Sequence, residues 1–377
     1  MVKLKSTNSI LLDVPYLLGI LALLTFGIVV VYDASVVYAH TVFGGKYHFL
    51  FLQTGWVALG FFAAAITTFL DYHLYPKISL PILIGSIVLL ILVFVPGIGV
   101  KVYGANRWVS IGAFTLQASE VMKLAFILYL ASWLSADVVT RKKLVGSKRY
   151  SLMSFGFLVL VIAALIVAEP DFGAALIITG IGVSIYFTSG APLRQFILAI
   201  PIIAVLGMFF IYGSSYRRQR LETFLNPSMS DPQTTGYHIN QIKIALGSGG
   251  LLGRGIGQSR QKYEYLPEVC ADSIFAVVGE ELGFVGASAV VLLFLFVIQR
   301  GFKIAKNSSD ELGRLLAVGI TSWLAIQILV NLSAMVGLIP LTGVTLPLVS
   351  CGGSSMLVTL SGVGVLLSVS RKGGKVS

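Results

Sequence analysis

The chain has 377 residues, of which 56% are hydrophobic and only 11% charged, with 27 lysines and arginines against 16 acidic residues and a formal charge of +11. Its apolar residues gather into runs near the ~20 that a spanning helix needs, which excludes an ordinary soluble enzyme. The positive charge is not a nucleic-acid footprint, because most basic residues lie in short loops between apolar runs, where they obey the positive-inside rule and meet anionic lipid.

Hydropathy predicts a single all-α membrane domain over 1–377, a polytopic bundle of about ten spans. They fall roughly at 14–32, 49–70, 78–96, 117–135, 151–168, 173–188, 195–212, 273–299, 315–338 and 355–370. The first follows Lys3 and Lys5 like a signal sequence, but it is long and no small-x-small cleavage site follows, so it reads as an uncleaved helix. Glu169-Pro170-Asp171-Phe172-Gly173 lies between the short fifth and sixth spans as a tight turn or a break in one long pair. Lys77, Arg141-Lys142-Lys143, Lys148-Arg149, Arg194, Arg300, Lys303, Lys306, Arg314, Arg371, Lys372 and Lys375 fall on the side of the N-terminus. Only Lys46, Lys101 and Arg107 occupy the short loops opposite. Both termini are therefore expected in the cytoplasm.

A long basic loop, about 213–272, is the exception, since it falls outside. Loops of this length in a compact bundle are usually functional. Its middle, with Ile239, Ile242, Ile244, Ala245 and Leu246, suits a short amphipathic helix on the membrane. Between the last two spans, GLIPLTGVTLPLVSCGGSS (337–355) breaks the apolar pattern at membrane depth. Irregular backbone there is tolerated only when buried in protein or lining a wet cavity, so a re-entrant segment is expected rather than a plain hairpin.

The chemistry concentrates where the long loop meets the eighth span. Asp272 stands at that joint, and a charge at a membrane edge usually has a task. It suits a general base or a ligand for a divalent cation, and equally a helix N-cap. Arg217, Arg218, Arg220, Arg254, Arg260 and Lys262 crowd the segment before it. Arginine forks suit phosphate oxygens, and Gly247 to Gly255 permits close backbone approach, but there is no GxGxxG or Walker motif, and a solvated loop touching headgroups fits the composition as well. Glu120 and Lys123 share a helix face at i and i+3 and read as a buried supporting pair. Glu280 and Glu281 lie two turns beyond Asp272 without an assignment. Cys270 and Cys351 form no CxxC, and His40, His48, His73 and His238 are scattered, which disfavours a protein-built zinc site.

Taken together, these residues resemble the SEDS family, which contains the FtsW and RodA proteins. The matching motifs are Asn106-Arg107-Trp108, Gln117-x-Ser119-Glu120-x-x-Lys123, Ala168-Glu169-Pro170-Asp171-Phe172-Gly173, Tyr216 with Arg220, Phe224-Leu225-Asn226-Pro227 and Gly236-Tyr237. Leu266-Pro267-Glu268, Asp272, Ile274-Phe275-Ala276, Gly279 to Phe284, Pro340-x-Thr342-Gly343 and Leu346 to Ser355 continue them. The resemblance implies a glycosyltransferase on the outer face that polymerises lipid II with a divalent cation (Mg²⁺ or Mn²⁺) beside a class B penicillin-binding protein and, in division, other divisome proteins. It implies that Asp272 is the catalytic acid or a metal ligand, that Arg218, Arg220, Lys262, Glu268, Ser354 and Ser355 bind substrate, and that Glu120 and Lys123 support the fold. Ser259, Gly279 and Gly343 to Pro347 look more like the division branch, FtsW, than the elongation branch, RodA. A lipid II flippase is the rival class, and a purely structural scaffold explains neither Asp272 nor the long loop.

The chain departs from the family pattern around the key acid. Members usually carry His-Thr before it and Phe after it, where this chain has Cys270-Ala271 and Ser273, and Cys351 stands where a Tyr is usual. Both cysteines map to the outer face, and the hypothesis is that they lie close enough to pair.

Overall fold

The computed structural model describes residues 12–102, 105–112, 114–141, 148–192, 195, 218, 222, 224, 235–263 and 265–373. The helices are α1 (Val14–Phe43), α2 (His48–Phe69), α3 (Tyr75–Leu92), α4 (Ala118–Arg141), α5 (Lys148–Ala168), α6 (Phe172–Thr188), α7 (Thr235–Gly249), α8 (Ile274–Lys306), α9 (Glu311–Met335) and α10 (Gly353–Gly373). Every predicted span except the seventh coincides with one of them; the seventh, 195–212, lies outside the described residues apart from Gln195. Among the described residues seven helices are long and apolar enough to cross a membrane, and Leu152–Ala168 and Phe172–Thr188 are shorter apolar helices. The chain is a multi-pass membrane protein.

Carboxylates start several helices. Asp13 accepts from the amide of Tyr16 at the head of α1, Asp171 from Ala174 at α6, and Asp310 from Gly313 at α9. Asp13 also receives Arg300 of α8 through a forked pair at 2.6 and 2.8 Å, which ties α1 to α8. Glu169 to Asp171 form a tight turn between α5 and α6, the first of the two geometries expected there.

Burial sorts the helices into layers. α4, α9 and α10 are buried along most of their length, while α1, α2, α3 and α8 present large apolar side chains such as Phe51, Phe62, Ile84 and Leu292 outward. That is the expected arrangement when lipid, not water, is the outer solvent.

Two features were absent from the sequence reading. Between α3 and α4 the chain forms a three-stranded antiparallel sheet, β1 (Gly99–Val102), β2 (Ala105–Ile111) and β3 (Phe114–Gln117), in the order β1-β2-β3. Trp108 pairs with Gln117 and Val109 with Leu116. The sheet caps the bundle where only a short loop was expected, because strands of four to seven residues between two apolar spans leave a weak alternation. The second is a break in α8, described below.

The segment between α9 and α10 is irregular and buried, with Val344, Leu346, Leu348, Val349 and Ser350 all enclosed by protein. Side chains satisfy its backbone. Gln327 Nε2 donates to the carbonyl of Thr345 at 3.1 Å, Asn331 Nδ2 to that of Val344 at 2.7 Å, and Gln53 Nε2 to that of Ser350 at 3.3 Å. Non-helical backbone survives at this depth because each such carbonyl finds a donor.

Candidate active site

The site is organised by the break in α8. Gly283 adopts φ 67° and ψ −167°, a region that is essentially glycine-only. An uninterrupted helix would bond the amides of Phe284 and Val285 to the carbonyls of Glu280 and Glu281. Here those amides donate instead to the carbonyls of Gly250 and Leu251, at 2.9 and 3.1 Å. The vacated carbonyls of Glu280 and Glu281 accept from the amides of Arg254 and Gly255, both at 3.0 Å. The loop after α7 is thus spliced into the hydrogen-bond ladder of α8, and both of these rungs are replaced.

The paired glutamates then fasten the basic loop by their side chains. Glu280 accepts from Ser259 Oγ at 2.6 Å and from the amides of Arg260 and Gln261. Glu281 accepts from the amides of Gly257 and Ser259, both at 3.0 Å. Lys262 completes the clasp: its Nζ reaches Glu281 at 3.0 Å and Asp33 of α1 at 2.8 Å. Burial alone would lower the Lys262 pKa, but the hydrogen bonds and charges of Asp33 and Glu281 raise it above the ordinary lysine value. Lys262, expected to bind substrate, is placed with its ammonium buried and engaged by two carboxylates. It also gives Glu280 and Glu281 the role that the sequence left open.

Asp272 sits at the start of the same module and is 7% exposed. The N-cap position of α8 belongs to Ser273, one residue later, so Asp272 does not take the capping role that suited it in sequence. Ser273 Oγ donates to Asp272 Oδ1 at 3.3 Å, and His238 Nε2 of α7 lies 2.7 Å from the same hydroxyl. His238, one of four scattered histidines in the sequence, is thereby brought beside the acid. Asn331 Nδ2 of α9 donates to the Asp272 carbonyl at 2.9 Å while also holding Val344. Two residues before Asp272, Cys270 forms a disulfide with Cys351, with Cα atoms 5.5 Å apart, and the Cys351 amide donates to the Cys270 carbonyl at 2.8 Å. The hypothesised pairing is present.

The other predicted site residues distribute as follows. Ser354 is buried at the head of α10, where its Oγ accepts from the Gln117 amide, and Ser355 beside it is also buried. Glu268 has φ 50°, and its carbonyl accepts from the amide of Ala271 in the turn that delivers Asp272. Arg218 is exposed and pairs with Glu222 at 2.8 Å, and Arg220 lies outside the described residues. Lys123 donates to Glu120 at 2.7 Å and to Gln327 Oε1 at 2.8 Å, and Trp323 Nε1 donates to the same oxygen. A buried polar strip therefore runs from Asp272 through Asn331 and Gln327 to Lys123.

The turn between α5 and α6 adds a second acidic group. Asp171 accepts from Ser119 Oγ and Gln117 Nε2, and Arg107 donates to the carbonyls of Glu169 and Pro170. The Glu169 carboxyl is fully buried, and neither oxygen has a partner among the described residues. Burial first, and the neighbouring Asp171 charge second, push its pKa up to about 9 against the opposing pull of Arg107. An apolar groove of about 730 Å³ is lined by Leu246, Phe275, Gly279, Phe284, Leu332 and Leu338 of α7, α8 and the α9 end. Among the described residues no three His, Cys, Asp or Glu side chains form a metal-binding group.

Known proteins share this pattern over its length. The family model described as cell cycle protein, covering FtsW, RodA and SpoVE, matches residues 15–374. A probable peptidoglycan glycosyltransferase FtsW of Trichlorobacter lovleyi is 40% identical over 364 residues, 95% of this chain and 93% of that protein. Stage V sporulation protein E of Bacillus subtilis is 39% identical over 352 residues, 93% and 94% of the two chains. Among solved structures, a chain of a peptidoglycan synthase complex that coordinates polymerization and crosslinking has a TM-score of 0.78 at 28% identity, covering 97% of this chain and 99% of that one. The rod shape determining protein RodA of Thermus thermophilus has a TM-score of 0.71 at 26% identity, covering 98% and 100%. Matched from its first helix to its last, the chain belongs to the FtsW/RodA/SpoVE family of polytopic membrane proteins.

Proposed function

We propose that this chain polymerises lipid II into glycan strands at the outer face of the bacterial cytoplasmic membrane, as an FtsW-type peptidoglycan glycosyltransferase with both termini cytoplasmic. The observation that carries the reading is a buried carboxylate, Asp272, fixed by Asn331, Ser273 and the Cys270–Cys351 disulfide at the head of a helix into which the basic loop is spliced.

The reaction joins a sugar hydroxyl to an anomeric carbon that carries a pyrophosphate. A hydroxyl is a poor nucleophile at neutral pH, and a carboxylate base that accepts its proton in the transition state contributes roughly 10²–10⁴-fold. Asp272 takes that role. The leaving pyrophosphate is neutralised by cations on the loop. Arg260 is exposed, its backbone is set by Glu280, and it joins Arg218 and Arg220 as a candidate in place of Lys262. The apolar groove, lined by Phe275 three residues after Asp272, receives the prenyl tail.

Asp272 is a buried carboxylate, and among the described residues no three His, Cys, Asp or Glu side chains cluster, which suits a Mg²⁺-like cation, commonly held by one or two carboxylates plus substrate phosphates. As the alternative to the base role, Asp272 would hold it, and its chemistry would be charge neutralisation at the pyrophosphate. The partner in this reading is a class B penicillin-binding protein that crosslinks the product, consistent with the synthase complex among the solved relatives.

The test is direct. Purified protein is incubated with its penicillin-binding partner, lipid II and Mg²⁺ or Mn²⁺, and glycan polymer is measured with and without chelator. Polymer that disappears with EDTA and with Asp272→Ala supports the reading; an Asp272→Ala protein as active as wild type refutes the site. Lipid II crossing vesicles without polymer would transfer the case to a transporter. Against that rival, the backbone groups freed at the break in α8 are taken up by the amides and carbonyls of the loop after α7. In cells, depletion should block septation and give filaments; loss of rod shape instead would point to the RodA-like role.

A further inference from the structure

We propose that the Cys270–Cys351 disulfide is a covalent positioning element for Asp272, so that polymerisation by this chain depends on the oxidised state of that pair. The proposal rests on the glycosyltransferase reading and adds a residue-level requirement to it.

The segment that delivers Asp272, 265–273, is a succession of turns, and the segment that delivers Ser354 and Ser355, 336–352, is irregular. Neither has a helical or strand ladder to fix it against the other. Among the described residues three ties join them: Asn331 bridging the carbonyls of Asp272 and Val344, the Cys351 amide on the Cys270 carbonyl, and the disulfide. Only the last is covalent, and it lies two residues from Asp272 on one side and three from Ser354 on the other.

The helices that carry these segments are held to the bundle elsewhere. α8 is tied by Arg300 to Asp13, α9 by Asp310 to Tyr72, and α10 by Ser361 and Gly364 carbonyls to Thr67 and Thr68. Opening the disulfide therefore leaves the bundle assembled and loosens only the outer ends. Reduction by a dithiol proceeds by thiolate attack on one sulfur and resolution of the mixed disulfide. It leaves the dithiol oxidised to its cyclic disulfide, with Cys270 and Cys351 each carrying one added hydrogen.

The experiment uses full-length protein reconstituted with its partner, lipid II and Mg²⁺, oxidised or treated with dithiothreitol, with thiols counted by alkylation and mass. Reduction should lower kcat roughly 10–100-fold with little change in KM, as expected for a displaced catalytic group. Reoxidation should restore it. Cys270→Ser/Cys351→Ser should match the reduced protein and be indifferent to dithiothreitol, which excludes an effect of the reagent on the partner. Hydrogen exchange should rise at 268–276 and 344–353 and stay unchanged in the cores of α4 and α9. Wild type with both thiols titrated and an unchanged kcat would overturn the proposal, as would a double variant as fast as the oxidised protein. If the oxidised protein makes no polymer, the glycosyltransferase reading fails, and exchange alone then decides whether the disulfide positions Asp272.

Discussion

Lys262 shows how a residue's type can be legible while its task is not. A basic loop before an outer carboxylate invites a phosphate contact, yet this ammonium is 3% exposed between Asp33 and Glu281. Removing one partner of a buried ion cluster costs about 3–5 kcal/mol, because the charges left behind are uncompensated. Lys262→Met should therefore lower the unfolding free energy by about that amount and make the 250–262 loop sensitive to protease. Loss of substrate affinity with unchanged stability would return Lys262 to the substrate. Glu169 makes the opposite case. Its pKa of about 9 lies above the ordinary 4.5, so between those values the folded protein holds a proton that the unfolded chain releases. Stability then falls as pH rises through that window, by at most about 1.4 kcal/mol per pH unit. Glu169→Gln keeps the shape and removes the titration. It should raise the melting temperature at about pH 8, with the gain shrinking to nothing near the ordinary carboxylate pKa. Parallel melting curves for the two proteins across that range would dispose of the buried neutral acid.

At the level of elements, α8 separates what a sequence shows from what it hides. The apolar run from Ile274 onward announced a helix, and Asp272 at its edge announced a site. The break at Gly283 did not announce itself, because a single glycine in an apolar run is ordinary and the rungs that replace the missing ones come from residues about thirty positions earlier. Local pattern carries no trace of such a pairing. For the same reason Glu280 and Glu281 stayed unassigned: their partners are the amides of 257–261, which a helical wheel does not contain. The β1–β3 sheet escaped by brevity. A Cβ added at Gly283 would fall 2.2 Å from the amide nitrogen of Gly253, which is backbone and cannot rotate aside. Gly283→Ala should thus expel the loop from α8, with loss of polymer synthesis and of exchange protection at 250–262. Gly250 has φ 57° but open space around it, so Gly250→Ala should cost only about 1 kcal/mol and keep the loop docked. Equal behaviour of the two variants would show that the splice is not what holds the loop.

Over the whole molecule, hydropathy was enough for the spans that fall on described residues and the family motifs singled out Asp272 as the candidate acid, but the assembly of the site depends on polar groups that face inward from α9. Gln327 and Asn331 read as mild interruptions in an apolar helix; in the fold one serves Lys123, Trp323 and Thr345, and the other serves Asp272 and Val344. They convert an irregular 336–352 segment, costly at membrane depth, into a wall of the site. Asn331 is the sharper test because its amide spans both halves. Leucine has the same branched skeleton and lacks the donor, so Asn331→Leu removes a hydrogen bond from each of two buried carbonyls at about 1–3 kcal/mol each. The helix itself should survive, since α9 is anchored by Asp310 at its other end. We therefore expect a lower melting temperature, faster exchange across 342–352, and a fall in kcat larger than any change in KM, because the Asp272 backbone loses its α9 contact. The disulfide remains in this variant, so the residual activity reports how much of the placement it secures alone. An Asn331→Leu protein that melts and polymerises like wild type would mean that the disulfide and the Cys351 amide suffice, and that α9 only fills space behind the acid.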